Sequence, residues 1–109
     1  MDNYFLSLIR GDSFSFGLDF EGLDQDLETA FFSVKKNAKD EAYSFQKSLG
    51  NGITKQETNK YVIRVAPEDT AGLEAGKYVF DLQIGVNGDI FTPMIGIFNL
   101  VQDVTNVTE

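Results

Sequence analysis

Cysteine, histidine and tryptophan are all absent from these 109 residues, and proline occurs only twice. Without cysteine there is no disulfide framework and no thiol nucleophile. Without histidine as well, there is no zinc or copper site of the usual ligand types and no imidazole base for a hydrolytic triad. Basic charge is scarce, since nine Lys+Arg stand against 17 Asp+Glu for a net charge of −8. So acidic a chain repels a phosphate backbone, which argues against nucleic acid as a partner. Long apolar runs are missing too. The longest uncharged stretch, Ile90 to Gln102, contains Pro93 and Gly96 and is too short to cross a bilayer as a helix, so no membrane partner is expected. Met1-Asp2-Asn3-Tyr4 offers neither a basic region nor a small-residue cleavage site, so no signal peptide is expected and synthesis is placed in a cytoplasm.

What is present is enough for one folded domain. At 42% apolar and 13% aromatic the chain can bury a core, and its length leaves no room for a second unit. Charge is segregated: residues 1–28 and 65–109 are acidic blocks, while the middle carries Lys35, Lys36, Lys39, Lys47, Lys55, Lys60 and Arg64. Such a basic block reads first as a solvated sheet face and loop, and the segregation also suits docking between copies or onto a complementary partner.

Hydrophobic alternation with period two organises almost the whole chain. Asn3–Arg10 reads as a first strand ended by Gly11-Asp12. Ser13–Phe20 alternates cleanly, with Phe14, Phe16, Leu18 and Phe20 on one face. An acidic loop follows, then a strand with Ala30, Phe32 and Val34 facing one way. Tyr43–Leu49 is a weaker strand before the turn signal Gly50-Asn51-Gly52. Ile53–Glu57 and Tyr61–Val65 are short strands, and Pro67-Glu68-Asp69-Thr70 opens a helical turn, with proline at the first position and acids at the positive end of the peptide dipoles. Lys77–Val86 is the longest strict alternation. Asn87-Gly88 then predicts a two-residue hairpin into Asp89–Val101, where Pro93 marks an edge or a bulge. Short strands with turns every 8–12 residues predict a two-sheet sandwich, with a small closed barrel as the competitor. The spacing Leu73-Glu74-Ala75-Gly76-Lys77-Tyr78-Val79-Phe80 favours the sandwich. It is that of a tyrosine corner, with Phe80 where antibody domains carry their second cysteine.

Chemistry-bearing patterns are thin. Asp19, Glu21, Asp24, Asp26 and Glu28 lie close together, but the run lacks the glycine of an EF-hand loop and reads as a solvated loop. Asp81 is the one acid flanked by strand hydrophobics on both sides, and alternation turns it outward, away from any carboxylate partner. No enzyme, no metal and no cofactor are expected. Tyr4, Phe5, Phe31, Tyr43 and Phe91 can serve as core, as a protein interface or as a sugar-stacking platform.

Several stretches in succession resemble a known family. They are Arg10-Gly11-Asp12-Ser13-Phe14, Phe32-Ser33-Val34-Lys35-Lys36-Asn37, Val65-Ala66-Pro67-Glu68-Asp69-Thr70, Leu73-x-x-Gly76-x-Tyr78-x-Phe80-Asp81-Leu82-Gln83-Ile84, and Thr92-Pro93-x-x-Gly96-x-Phe98 before Asp103-Val104-Thr105. Their order resembles the immunoglobulin-like N-terminal domain of phage baseplate upper proteins and related small virion proteins of tailed phages and prophages. The resemblance implies an all-β, immunoglobulin-like β-sandwich of seven to eight antiparallel strands, with one short helical turn near residues 67–72. It implies a sandwich over 1–105 and a flexible tail over 106–109. It also implies a structural set of Gly11, Asp12, Pro67, Asp69, Leu73, Gly76, Tyr78, Phe80 and Gly96. The function implied is non-enzymatic docking in a tail, baseplate or head, with other virion proteins or further copies of the chain as partners and the virion as its location. Baseplate upper proteins continue into a coiled or fibre region, whereas this chain stops at Glu109, so both an excised domain and a stand-alone virion protein stay open. The alternative is a carbohydrate-binding sandwich that adheres to cell-wall polysaccharide. For docking, the first strand and the Pro93-bearing final strand are the expected edges.

Overall fold

The computed structural model describes residues 4–105, so the expected tail over 106–109 lies outside the described residues. The strands are β1 (Tyr4–Ile9), β2 (Phe14–Asp19), β3 (Thr29–Lys35), β4 (Phe45–Leu49), β5 (Gly52–Glu57), β6 (Lys60–Val65), β7 (Gly76–Val86) and β8 (Asp89–Val101), with the single turn of helix α1 (Pro67–Ala71) between β6 and β7. Strand order is β1-β8-β7-β3-β4-β5-β6-β2. The order folds into two layers at the junction of β4 and β5, where only Ser48↔Gly52 and Leu49↔Ile53 pair across a sharp corner at Gly50-Asn51. One layer is then β1-β8-β7-β3-β4 and the other β5-β6-β2. No ladder joins β2 back to β1, so the sheet stops short of a closed barrel.

This is the expected all-β, immunoglobulin-like sandwich with its short helix, with eight strands among the described residues. One detail differs from the antiparallel expectation. β1 runs parallel to β8, from Tyr4↔Gly96 to Ile9↔Val101, and the short β4–β5 contact is parallel as well. Physically, β1 leaves its hairpin-like turn at Arg10–Ser13 on one layer while β2 starts on the other, so β1 takes β8 as its neighbour instead of β2. That also corrects the edge assignment. The second half of β8 is sandwiched between β7 and β1, and only its first half, around Pro93, lacks a neighbour on the outer side. Pro93 sits at a bulge, where the register against β7 slips between Leu82 and Ile84. The strand expected at Tyr43–Leu49 begins only at Phe45. The connection before it holds a turn in which the Asp40 carboxylate accepts the Asn37 amide at 3.1 Å, and Tyr43 lies outside the strand.

The core sits between the layers and is held by aromatic contacts. Phe32 of β3 has no solvent exposure, and its ring centroid lies 5.6 Å from Phe16 of the opposite layer and 5.4 Å from Phe80 of β7. Phe45 continues the chain of rings to Phe98 at 5.7 Å. Ile53, Ile63, Val65, Val34 and Leu82 close round them without exposure. Phe14, Phe16 and Leu18 point inward as their alternation predicts but remain half-buried, because β2 is the outer strand of its layer. The Asn87-Gly88 hairpin takes positive φ at both positions (55° and 83°), which matches the mirror-image turn this dipeptide favours.

At one pole a set of polar contacts ties turns together. Tyr78 donates its hydroxyl to the Glu74 carbonyl at 2.7 Å, the bond of a tyrosine corner. Asp69 accepts the Ala66 amide at 2.7 Å, capping α1, and meets the Lys47 ammonium at 2.6 Å. The hydroxyl of Thr70, buried without exposure, accepts the Gly11 amide at 2.9 Å. Arg10 donates to the Asp103 carboxylate at 2.9 Å and to the Leu73 carbonyl at 3.2 Å. Pro67 occupies the first turn of α1, Asp12 lies exposed in the β1–β2 turn, and Gly76 opens β7.

Gly96 has a different task. A Cβ there would collide with the Tyr4 backbone, so glycine is what lets β1 lie against β8; the close approach is between strands and not between sheets. Phe32→Ala should therefore cost about 3–5 kcal/mol in urea unfolding, as large-to-small changes in a packed core do. Gly96→Ala should accelerate amide hydrogen exchange across Tyr4–Ile9 while leaving the middle of β7 protected.

Candidate functional site

The site grows from the outward parity of four strands. Residues that alternate with the core on β1, β8, β7 and β3 come into register as rungs across the outer face of the larger layer. One rung reads Phe5, Ile97, Val79, Lys35. The next reads Ile95, Asp81, Ser33, Gln46, and beyond it Gln83 pairs with Phe31. An antiparallel sheet with a solvated face ordinarily carries polar residues there. Here apolar Phe5, Ile97, Val79, Ile95 and Phe31 share the face with Lys35, Asp81, Ser33, Gln46 and Gln83.

The face is concave. The connection between β3 and β4 rises beside it, bringing Ala38 and Tyr43 over the edge and enclosing a trough of about 710 Å³. That volume lies within the range of ligand-binding clefts. Tyr43 is half exposed, and the Lys35 ammonium stands 5.1 Å from its ring centroid, a cation–π distance. Gln46 donates its side-chain amide to the Ser33 hydroxyl at 2.9 Å, so these two neighbours on the middle rung satisfy one another.

Asp81 has no such partner among the described residues and is the one acid lining the trough. Partial burial raises its pKa above the ordinary 3.8, while the positive charge of Lys35 works in the opposite direction. The sign of the consequence follows from linkage. A carboxyl with a raised folded-state pKa holds its proton more tightly in the folded chain than in the unfolded one. Its stabilising contribution is present when protonated and is lost as pH rises through the window above 3.8.

Of the other residues singled out in the sequence, Phe31 and Tyr43 line the trough, Phe5 lies on the same face and the rest lie elsewhere. Phe5, Tyr4, Tyr43 and Phe91 are exposed, while Phe31 is half-buried in the trough wall. In the acidic loop, Asp26 pairs with Lys55 of β5 at 2.9 Å and Glu28 accepts the amide of Gly88 in the β7–β8 turn at 3.3 Å, so two of its carboxylates are engaged with neighbouring segments. Among the described residues there is no group of three or more His, Cys, Asp or Glu able to hold a metal ion. Two Ser-x-x-Lys spacings, Ser33–Lys36 and Ser44–Lys47, start on or beside strands, where residues three apart point to opposite faces. Lys47 is turned inward to Asp69.

The sequence placed Asp81 outward but did not assemble the trough. Its lining is drawn from β3, β4, β7 and β8, and only the register brings them together. The signal that was available is the apolar content of the outward positions Phe31, Val79, Ile95 and Ile97.

Compared with known proteins, the chain matches no family model and no curated protein.

Asp81→Asn keeps the shape of the side chain and removes the charge. It should raise the melting temperature at pH 7, and the gain should shrink as pH is lowered towards 4, measured by thermal unfolding in parallel buffers.

Proposed function

We propose that this chain is a non-enzymatic docking module of a tailed-phage or prophage virion, working in a tail, baseplate or head through protein–protein contacts. The observation that supports it best is the outer face of the larger layer. There Phe5 and Ile95, 61% and 41% exposed, adjoin half-buried Ile97 and Val79 in one apolar surface, with Asp81 and Ser33 beside it. Contiguous apolar surface with a polar component is what a protein interface presents. The resemblance of the strand-and-turn succession to baseplate upper proteins points to the assembly in which such an interface belongs. In this reading, the site of action is the virion, assembled in the bacterial cytoplasm.

A second reading is favoured by one specific feature. The trough places the aromatic rings of Phe31 and Tyr43 beside Asp81, Gln83 and Gln46, the combination by which a cell-wall polysaccharide is gripped. The two readings separate experimentally. Mass spectrometry of purified virions from the encoding phage or lysogen should find the chain in stoichiometric copies. Ile95→Lys should lower its incorporation about tenfold, as loss of an interface anchor does, while the isolated variant stays folded. Absence from virions, together with retention of the wild-type chain on immobilised host polysaccharide, would replace the docking reading with the adhesive one.

A further inference from the structure

We infer that the trough on the outer face of the larger layer receives an arginine side chain presented by a neighbouring polypeptide, with its guanidinium meeting the Asp81 carboxylate. This deepens the docking reading and rests on it. Four observations carry it. First, Asp81 lies at the centre of the face, between Ile95 and Ser33 in the register, and among the described residues no side chain donates to its carboxylate. Second, of its polar neighbours only Gln83 is without a side-chain partner among the described residues. Gln46 is bonded to Ser33, and the Lys35 ammonium is drawn over the Tyr43 ring. Third, apolar side chains lie on both sides, Val79 and Ile97 beside Lys35 on one and Phe31 beside Gln83 on the other, which suits the methylene stem of a long basic side chain. Fourth, the rings of Phe31 and Tyr43 border the same space, and a planar guanidinium stacks on aromatic faces in a way that an ammonium does not.

Charge complementarity selects among occupants. A second copy docked face to face about a two-fold axis would offer Asp81 either its own equivalent, a like charge, or Lys35, an ammonium already held over the Tyr43 ring. A neutral sugar needs several paired donors and acceptors on the floor of the cleft, and with Ser33 and Gln46 bonded to each other Gln83 is the one neutral amide among the described lining residues left without a side-chain partner. A cation from a different polypeptide satisfies the carboxylate directly, and a guanidinium does so with two parallel hydrogen bonds.

The test is a titration of the isotope-labelled chain followed by amide NMR shifts, with three probes. They are N-acetyl-arginine amide, its neutral isostere N-acetyl-citrulline amide, and an oligosaccharide from host cell wall. The arginine probe should shift amides at Phe31–Lys35, Val79–Gln83 and Ile95–Ile97. Binding should be about tenfold weaker for the citrulline probe and for Asp81→Asn, the loss expected from one charge-assisted contact. Equal response to arginine and citrulline, or insensitivity to Asp81→Asn, overturns the inference. So does a response to the oligosaccharide alone, or sedimentation showing a dimer that Ile95→Lys dissolves. The docking reading is scored separately by virion incorporation. If Ile95→Lys is lost from virions while the arginine probe is ignored, docking stands and the arginine receptor fails.

Discussion

The contact on which the rest of this molecule depends is that of Phe32 with Phe16 across the layers and with Phe80 beside it. Many sandwiches of this size pin their two sheets with a disulfide packed on a tryptophan. This chain has neither residue, and rings take both places. The replacement changes the character of the link. A disulfide constrains two points, whereas a ring cluster works only if all its members are packed, so strand register and core shape become mutually dependent. The outward register that builds the trough is thus fixed by the inward one. Asp81 faces the trough because Phe80 and Leu82 face the core, each buried to within a few per cent.

The pole around α1 performs a second kind of work. Thr70 and Asp69 each satisfy a group from a distant part of the chain, the Gly11 amide and the Lys47 ammonium, while Tyr78 closes its own corner on the Glu74 carbonyl four residues back. Buried polar groups that find their partners cost little and specify one arrangement. The effect is to anchor the β1–β2 turn and β4 to one short helix. The five-stranded layer is held at that end and carries its exposed apolar surface as a preformed face.

How much of this was legible in the sequence depended on range. The alternation of Ser13–Phe20 and Lys77–Val86, the Asn87-Gly88 hairpin and the Tyr78 spacing are local signals, and strands, turn and corner bond lie where they point. The partner of β1 was not legible, because parallel pairing with β8 joins residues some ninety positions apart and leaves no local trace beyond Gly96. The trough stayed hidden for the same reason. Ser33, Gln46, Asp81 and Ile95 become neighbours only through three ladders. Pro93 was ambiguous between edge and bulge, and the structure uses it at a bulge on the stretch of β8 that β1 leaves uncovered.

The β1–β8 ladder has a mechanical corollary. Because the strands run parallel, Tyr4 stands beside Gly96 at one end and Ile9 beside Val101 at the other. Tension applied between the two ends of the described chain would drag β1 and β8 past each other along their length. Every hydrogen bond of that ladder is then strained at once, in shear, instead of being unzipped one by one. A domain strung in series with others would in this way resist stretching through its outermost strand, and the fit of Gly96 against Tyr4 would decide how much pull it bears.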